Sequence, residues 1–266
     1  MNDVYDVSYF RTFGFLVLPQ FFKPDLLADE IDQVMRDGLI SPSNVTHFGN
    51  IRFQYVPMMS DTTPASLALL DRTSAVAATL LGSPVIPTRA KGTRYFGDSP
   101  WHVDSNLPLE SIGFAAYLEP NESDSGALRV LPGSHRPEFN QALREIGVIG
   151  MSATTLPSWP VATQPGDVIV FDEHLFHSSF GGGVRRQWRI DFVRDPIGAD
   201  AESLTRKYFQ ELYPADWDGG YDSQRYPSYS DHWRRSARTA VAVLGRLGVY
   251  DLAATQEAVS ASKRRE

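Results

Sequence analysis

The stretch GDVIVFDEHLFHSSFGGGVRRQWRIDFV, residues 166–193, does most to decide the fold. It begins with a short apolar run, residues 167–171, which ends in a loop carrying two histidines. Glycines 181–183 then form a turn, and a second run of strand-forming residues starts at Arg186. Short β-rich runs joined by glycine turns, with no helix between them, predict antiparallel strands rather than alternating strands and helices.

The same pattern extends toward the N-terminus. Short runs bounded by Gly, Pro, Ser or Asp occupy residues 84–95, 111–118, 127–131, 167–171 and 186–193. A further strand is predicted over residues 14–19, and Pro24, Gly38 and Gly82 bound helices over 24–38 and 64–81. The sequence therefore predicts a mainly β protein with flanking helices, built as a sandwich or barrel of short strands.

Length and composition narrow the class of protein. The 266 residues, 42% of them hydrophobic, fit a single domain over 1–266, with a β core over about 84–193 and a helical and aromatic extension over 197–266. A net charge of -7 argues against binding to nucleic acid or anionic membranes. The absence of cysteine excludes disulfides and thiolate metal sites. With no signal peptide or long apolar run visible, we expect a cytoplasmic protein.

The motif Trp101-His102-Val103-Asp104 points to metal chemistry. Residues i and i+2 of a strand project to the same side, so His102 and Asp104 can reach one cation. They would supply two corners of a 2-His-1-carboxylate triad, which leaves coordination positions open for a cosubstrate and O2. Taken alone the H-x-D motif is weak, because a solvated surface turn explains it equally well.

The stretch quoted above adds a third ligand and a cation. Either His174 or His177 could complete the triad from the loop, and arginines follow at the start of the next strand. Iron binds the 2-oxo acid end of 2-oxoglutarate, and an arginine suits the far carboxylate because it can donate two parallel hydrogen bonds.

These motifs resemble the phytanoyl-CoA dioxygenase family of Fe(II)- and 2-oxoglutarate-dependent oxygenases. The resemblance covers roughly residues 7–193. It rests on four segments in order: FRTFGFLVLP at 10–19, WHVD at 101–104, GALRVLPGSH at 126–135, and GDVIVF with the following H-S-S and R-R at 166–186. The resemblance implies a double-stranded β-helix, which is the cupin-like jelly roll, and so agrees with the short-strand pattern.

The resemblance also implies residue roles. His102, Asp104 and His177 match the iron ligands, Ser179 matches a hydroxyl that helps to hold 2-oxoglutarate, and Arg186 matches the arginine for its distal carboxylate. The family usually places that arginine about ten residues past the last histidine, whereas Arg186 lies nine past His177. A competing alignment uses His174 with Arg185.

Strand alternation favours Arg186 over its neighbours. In an extended strand Arg186 shares a face with the apolar residues Trp188, Ile190 and Phe192. We expect this apolar face to point into the barrel, where a bound carboxylate would compensate the buried guanidinium. Arg185 and Arg189 are expected on the solvent side.

The predicted activity is hydroxylation of an unactivated C–H bond of a small molecule, with Fe(II), 2-oxoglutarate and O2. Related halogenases replace the carboxylate ligand with a small residue, so Asp104 favours hydroxylation. Desaturation, epimerisation and cyclisation use the same ligands and stay open. A non-redox metal-binding jelly roll would have no need of an inward arginine, and an inactive binding protein would have no need of an intact triad.

Residues 213–232, rich in Tyr and Trp, are predicted to select the substrate or to pack as a strap across the barrel.

Overall fold

A computed structural model describes residues 5–41, 43, 45–48, 51–214 and 220–263. Its helices are α1 (Val7–Phe13), α2 (Pro24–Gly38), α3 (Pro64–Leu81), α4 (Pro137–Glu145), α5 (Ala199–Leu212), α6 (Asp231–Arg234), α7 (Thr239–Arg246) and α8 (Val249–Lys263). Its strands are β1 (Phe15–Leu18), β2 (Thr46–Phe48), β3 (Ile51–Pro57), β4 (Val85–Pro87), β5 (Lys91–Phe96), β6 (Ser99–His102), β7 (Ser111–Tyr117), β8 (Leu128–Val130), β9 (Trp159–Val161), β10 (Val168–Asp172), β11 (His177–Ser179) and β12 (Val184–Arg194).

The strands form two antiparallel sheets, as the jelly-roll prediction requires. The major sheet has the order β1-β10-β7-β12-β5-β3-β2, with β4 paired to β12, and the minor sheet has the order β6-β11-β8-β9. Strands β1, β2 and β3 belong to the major sheet, although they precede the core predicted over residues 84–193. An apolar cluster between the sheets includes Phe15, Ala115, Leu128 and Phe171.

Helices α2 and α3 cover the outer face of the major sheet. Ile31 and Leu70 from these helices share one apolar cluster with Trp188, Ile190 and Phe192 of β12. The indole nitrogen of Trp188 donates a hydrogen bond of 2.8 Å to Ser66 Oγ in α3. The apolar face of β12 is therefore buried under helices, and its polar face lines the space between the sheets.

The helices predicted over 24–38 and 64–81 are confirmed at those bounds. The C-terminal helices begin at Ala199, Asp231, Thr239 and Val249. Within the described ranges, no helix combines the length and the apolar character needed to cross a membrane.

Candidate active site

The predicted metal ligands come together at the edge of the minor sheet formed by β6 and β11. His102 ends β6, His177 starts β11, and the two residues are paired across these strands. Asp104 lies two residues past β6, in a loop fixed by a 2.9 Å hydrogen bond from its backbone N–H to Glu173 O. One potential ligand atom from each of His102, Asp104 and His177 lies within 4.8 Å of the others, so the group could hold a metal ion.

Both imidazoles are oriented for metal binding. The Nδ1–H of His102 donates to Pro100 O at 2.7 Å, and the Nδ1–H of His177 donates to Leu175 O at 2.9 Å. A carbonyl oxygen can only accept, so Nδ1 carries a proton in both rings and Nε2 is the nitrogen left for a metal. These Nε2 atoms lie 3.7 and 3.4 Å from Asp104 Oδ1. Two imidazole Nε2 atoms and a carboxylate oxygen on one side of a cation are the donor set that Fe(II) takes in a facial triad.

The electrostatics keep the ligands ready to bind a cation. Burial, assisted by His177, lowers the pKa of His102 to about 4, so this imidazole is neutral at physiological pH. Burial alone would raise the pKa of Asp104, but His177 and Arg189 hold it well below its ordinary value. The site therefore presents a carboxylate and unprotonated nitrogen without the need to expel a proton from either group.

Arg189 fixes the second oxygen of Asp104. Its Nη2 lies 2.7 Å from Asp104 Oδ2 and 2.5 Å from Asp191 Oδ1. The guanidinium also stacks 4.6 Å from the centre of the Phe171 ring. Gly113 leaves the space for this arrangement, because a Cβ there would lie 2.3 Å from Arg189 Nη2. With Oδ2 engaged, Oδ1 is the oxygen that Asp104 presents between the two histidines.

Next to the ligands is a cavity of about 260 Å³, which we call the metal pocket. One end of it holds Arg185 and Ser179, both buried. Arg185 Nη2 donates to Ser179 Oγ at 3.1 Å and to Gly97 O at 3.0 Å. Its Nε and Nη1 are buried and have no hydrogen-bond partner among the described residues. A guanidinium with two unused buried donors fits the distal carboxylate of 2-oxoglutarate, which would accept both.

The predicted inward orientation of Arg186 is wrong. Its Nε lies 2.7 Å from Glu119 Oε1 and its Nη1 lies 2.6 Å from Asp32 Oδ2, outside the metal pocket. Alternation along β12 is as predicted, but the faces are exchanged: Arg185, Gln187, Arg189 and Asp191 line the metal pocket. The reason is that α2 and α3 bury the apolar face, while ion pairs inside the barrel compensate the charges on the polar face.

The remaining histidines lie apart from the metal group. His174 is engaged at both ring nitrogens, with Asp172 Oδ1 at 2.9 Å and Leu107 O at 2.7 Å. The structure therefore combines His177 with Arg185, a pairing that neither alignment of the sequence proposed. A signal in the sequence could have revealed this arrangement. The four polar residues that alternate along β12 indicate a charged cavity once the helices upstream are expected to cover the apolar face.

The fold and the His–Asp–His group define a mononuclear non-haem metal oxygenase of the jelly-roll type. Residues 10–186 match the sequence profile of the family described as phytanoyl-CoA dioxygenase (PhyH). The chain belongs to this family. It is an Fe(II)- and 2-oxoglutarate-dependent dioxygenase that uses O2, as the sequence predicts.

A curated relative and several solved structures share this architecture. Ectoine dioxygenase of Stutzerimonas stutzeri (strain A1501) is 27% identical over 212 residues, which span 66% of this chain and 70% of that protein. AviO1 from Streptomyces viridochromogenes Tue57 aligns with a TM-score of 0.56 at 22% identity, over 73% of this chain and 95% of that one. The epimerase SnoN from nogalamycin biosynthesis aligns with a TM-score of 0.56 at 20% identity, over 71% and 80%. At these identities the solved structures support the fold.

Proposed function

We propose that the enzyme hydroxylates an unactivated C–H bond of a small-molecule metabolite, with release of succinate and CO2. His102, Asp104 and His177 would hold Fe(II), and Arg185 with Ser179 would bind the distal carboxylate of 2-oxoglutarate. The observation that carries the proposal is the convergence of two Nε2 lone pairs and one carboxylate oxygen beside a buried guanidinium with unused donors. On bound Fe(II), the carboxylate of Asp104 would occupy the position that a halide needs.

The protein residues position the reactants around the metal. Bound Fe(II), together with 2-oxoglutarate and O2, supplies the oxidising chemistry. The Nδ1 hydrogen bonds of His102 and His177 fix the ring orientation, and Arg189 fixes the carboxylate of Asp104. Apolar wall residues Phe171, Ala115 and Leu128 limit water at one side of the metal pocket. A substrate C–H bond held opposite this wall would face the metal.

The proposal is tested by anaerobic reconstitution with Fe(II) and 2-oxoglutarate, followed by exposure to O2 with a panel of metabolites. Substrate-dependent succinate release with insertion of one oxygen atom into the product supports hydroxylation. Loss of two hydrogens would indicate desaturation or ring closure, and an unchanged mass would indicate epimerisation. Succinate release that never depends on an added compound, over a broad panel, would contradict the small-molecule assignment.

The ligand assignment has its own matched variants. His102→Ala and His177→Ala should each abolish Fe(II) binding, measured by equilibrium dialysis. His174→Ala should retain Fe(II), because both of its ring nitrogens are hydrogen-bonded away from the group. Retained binding in His177→Ala together with loss in His174→Ala would move the third ligand to His174.

A further inference from the structure

A second cavity of about 240 Å³ adjoins the metal pocket, and we call it the side chamber. The two cavities share four wall residues, Phe53, Lys91, Asp191 and Leu212. The rest of the side chamber is lined by Tyr55, Tyr213 and Pro214 together with polar residues that include Thr88, Arg89 and Glu211. Since four residues line both cavities, the cavities are adjacent, and a group bound in the side chamber would lie next to the metal pocket.

Lys91 is the cation at the junction of the two cavities. It is paired in register with Arg189 across β5 and β12, and both side chains line the metal pocket. Arg189 is paired with Asp104 and Asp191. Among the residues that the structure describes, no carboxylate lies within ion-pair distance of the Lys91 ammonium. Burial lowers the pKa of Lys91, and the nearby charge of Asp191 opposes this.

The neighbouring cation on the far side is already satisfied. Arg89 donates from Nη1 to Ser228 Oγ at 2.9 Å and to Gln256 Oε1 at 3.0 Å, and from Nη2 to Tyr55 Oη at 3.0 Å. Lys91 is half-buried between the two cavities, where a bound anion would compensate its charge. The charge at the junction is therefore complementary to an anionic group on a ligand.

The size and walls of the side chamber define the rest of that ligand. A dry cavity of about 150 Å³ can hold benzene, so the side chamber has room for a ring-sized group. Phe53, Tyr55, Leu212 and Tyr213 offer aromatic and aliphatic contacts to it. Such contacts favour a compact apolar or aromatic body rather than a sugar or a polyamine.

The anion site at Lys91 is distinct from the one proposed for 2-oxoglutarate. Arg185 and Arg189 lie four residues apart on β12, which separates their backbones by about 13 Å. Arg185 is next to Ser179, whereas Lys91 pairs with Arg189 and faces the side chamber. A five-carbon diacid that reaches from the metal to Arg185 extends away from Lys91.

We propose that the side chamber binds the non-reacting part of the primary substrate, a small carboxylate with a ring-sized apolar body, and that Lys91 pairs with its carboxylate. This inference rests on the proposed function, because it places the substrate beside the metal. Lys91 is thus a specificity-determining residue of the same active site.

The test uses two isosteric probes, 3-phenylpropanoate and its neutral amide, 3-phenylpropanamide. Calorimetric titration of the full chain, loaded anaerobically with Fe(II) and 2-oxoglutarate, should give about tenfold tighter binding for the carboxylate. Lys91→Met should remove the difference between the probes, and Lys91→Arg should keep most of it. Leu212→Trp, which reduces the space shared by the cavities, should weaken the binding of both probes.

Several results would overturn the inference. Equal affinity for the two probes, or a preference for the carboxylate that persists in Lys91→Met, would remove Lys91 from substrate binding. A raised Kd for 2-oxoglutarate in Lys91→Met would assign this lysine to the cosubstrate instead. The Kd values of Fe(II) and 2-oxoglutarate for the unmodified chain separate the two proposals: if both bind and neither probe does, only the side-chamber inference fails.

Discussion

Arg185 and Arg186 are adjacent in sequence and lie in opposite surroundings. Arg185 is buried in the metal pocket with two unused donors, whereas Arg186 is paired with Glu119 and Asp32 on the outer side of the sheet. Both are arginines at the start of the same strand, so substitutions at these positions are matched. A comparison of substitutions at Arg185 and Arg186 therefore shows what the orientation toward the cavity contributes to ligand binding.

Arg185→Met should raise the Kd of 2-oxoglutarate by about 30-fold or more, because loss of a buried charge-assisted pair costs roughly 2–5 kcal/mol. Arg186→Met should change that Kd by less than about twofold, since its partners lie outside the cavity. Anaerobic calorimetry with Fe(II)-loaded protein measures both values. If Arg186→Met had the larger effect, the assignment of Arg185 would be withdrawn.

Arg189 gives a second prediction at this scale. Its side chain is 8% exposed, and it neutralises Asp104 and Asp191. Arg189→Met should lower the free energy of unfolding of the metal-free protein by about 3–5 kcal/mol, because it leaves buried carboxylates without a cation. Arg186→Met, with partners near the surface, is the matched control and should lower it by about 1 kcal/mol or less.

Bound Fe(II) should reduce the difference in free energy of unfolding between Arg189→Met and the unmodified chain. A divalent cation bound by Asp104 supplies positive charge where the guanidinium is missing, so saturating Fe(II) should stabilise Arg189→Met more than the unmodified chain. Anaerobic urea unfolding with and without Fe(II) measures the difference. An equal gain in both proteins would show that Arg189 and the metal do not share the charge of Asp104.

The limits of sequence-based prediction are clearest at single residues. The local H-x-D motif indicated His102 and Asp104, whereas His177 was selected over His174 through the resemblance to the family; the structure brings these three side chains together. Which face of β12 points into the barrel cannot be deduced from the local sequence, because it depends on which side of the major sheet α2 and α3 cover. The alternation of side chains along β12 was predicted correctly, but its two faces were assigned to the wrong sides of the sheet. This one error misplaced Arg186, Arg185 and Arg189 together.

Among the elements, α3 shows how tertiary contacts complete a local signal. Pro64 correctly predicts where the helix begins, but Thr63 at the N-cap makes no side-chain hydrogen bond to it. Glu30 of α2 supplies the cap instead, accepting from Ala65 N at 2.6 Å and from Ser66 N at 3.0 Å. The carboxylate also lies at the positive end of the helix dipole.

Glu30→Ala should therefore lower the free energy of unfolding by about 1–2 kcal/mol, because two backbone donors at the start of α3 lose their acceptor. Asp29→Ala, at the adjacent and exposed position of α2, is the control and should change it by about 0.5 kcal/mol or less. Chemical denaturation followed by circular dichroism measures both. Equal effects would show that water satisfies these donors in place of Glu30.

Strands were predicted from sequence where an apolar run is bounded by turn residues, as in the short strands β1, β4 and β8, and missed where polar residues or the site chemistry dominate the composition, as in β3, β6 and β11. Strands β6 and β11 have four and three residues and carry the metal ligands, so the chemistry dominates their composition. Strand β3 begins with the mixed polar sequence IRFQ, and its place in the major sheet comes from long-range pairing with β5. Such pairing cannot be deduced from alternation within one segment.

At the scale of the whole molecule, the C-terminal extension belongs to the core. Tyr221, Tyr226, Tyr229 and Trp233 are buried in the same apolar cluster as residues of α2, α3 and the major sheet. Buried Arg89, which precedes β5, is hydrogen-bonded to Ser228 and Gln256 of the extension.

Residues 215–219 of the predicted recognition segment lie outside the described residues, and their part in substrate selection stays a prediction. The described aromatic residues support the alternative of a packing strap.

Removal of residues 213–266 should consequently prevent folding, not merely change substrate choice. The truncation would expose the apolar surface that Tyr221, Tyr229 and Trp233 cover and would leave the buried Arg89 without two of its partners. A milder variant keeps the test quantitative: Trp233→Ala should lower the free energy of unfolding by about 3–5 kcal/mol. Phe139→Ala, at a surface position that is 44% exposed, is the control and should change it by about 0.5 kcal/mol or less.

Circular dichroism and size-exclusion chromatography monitor folding, and calorimetry of folded Trp233→Ala should give an unchanged Kd for 2-oxoglutarate. A truncated chain that stays folded and binds Fe(II) and 2-oxoglutarate would show instead that the extension is separable from the barrel and free to serve substrate selection alone.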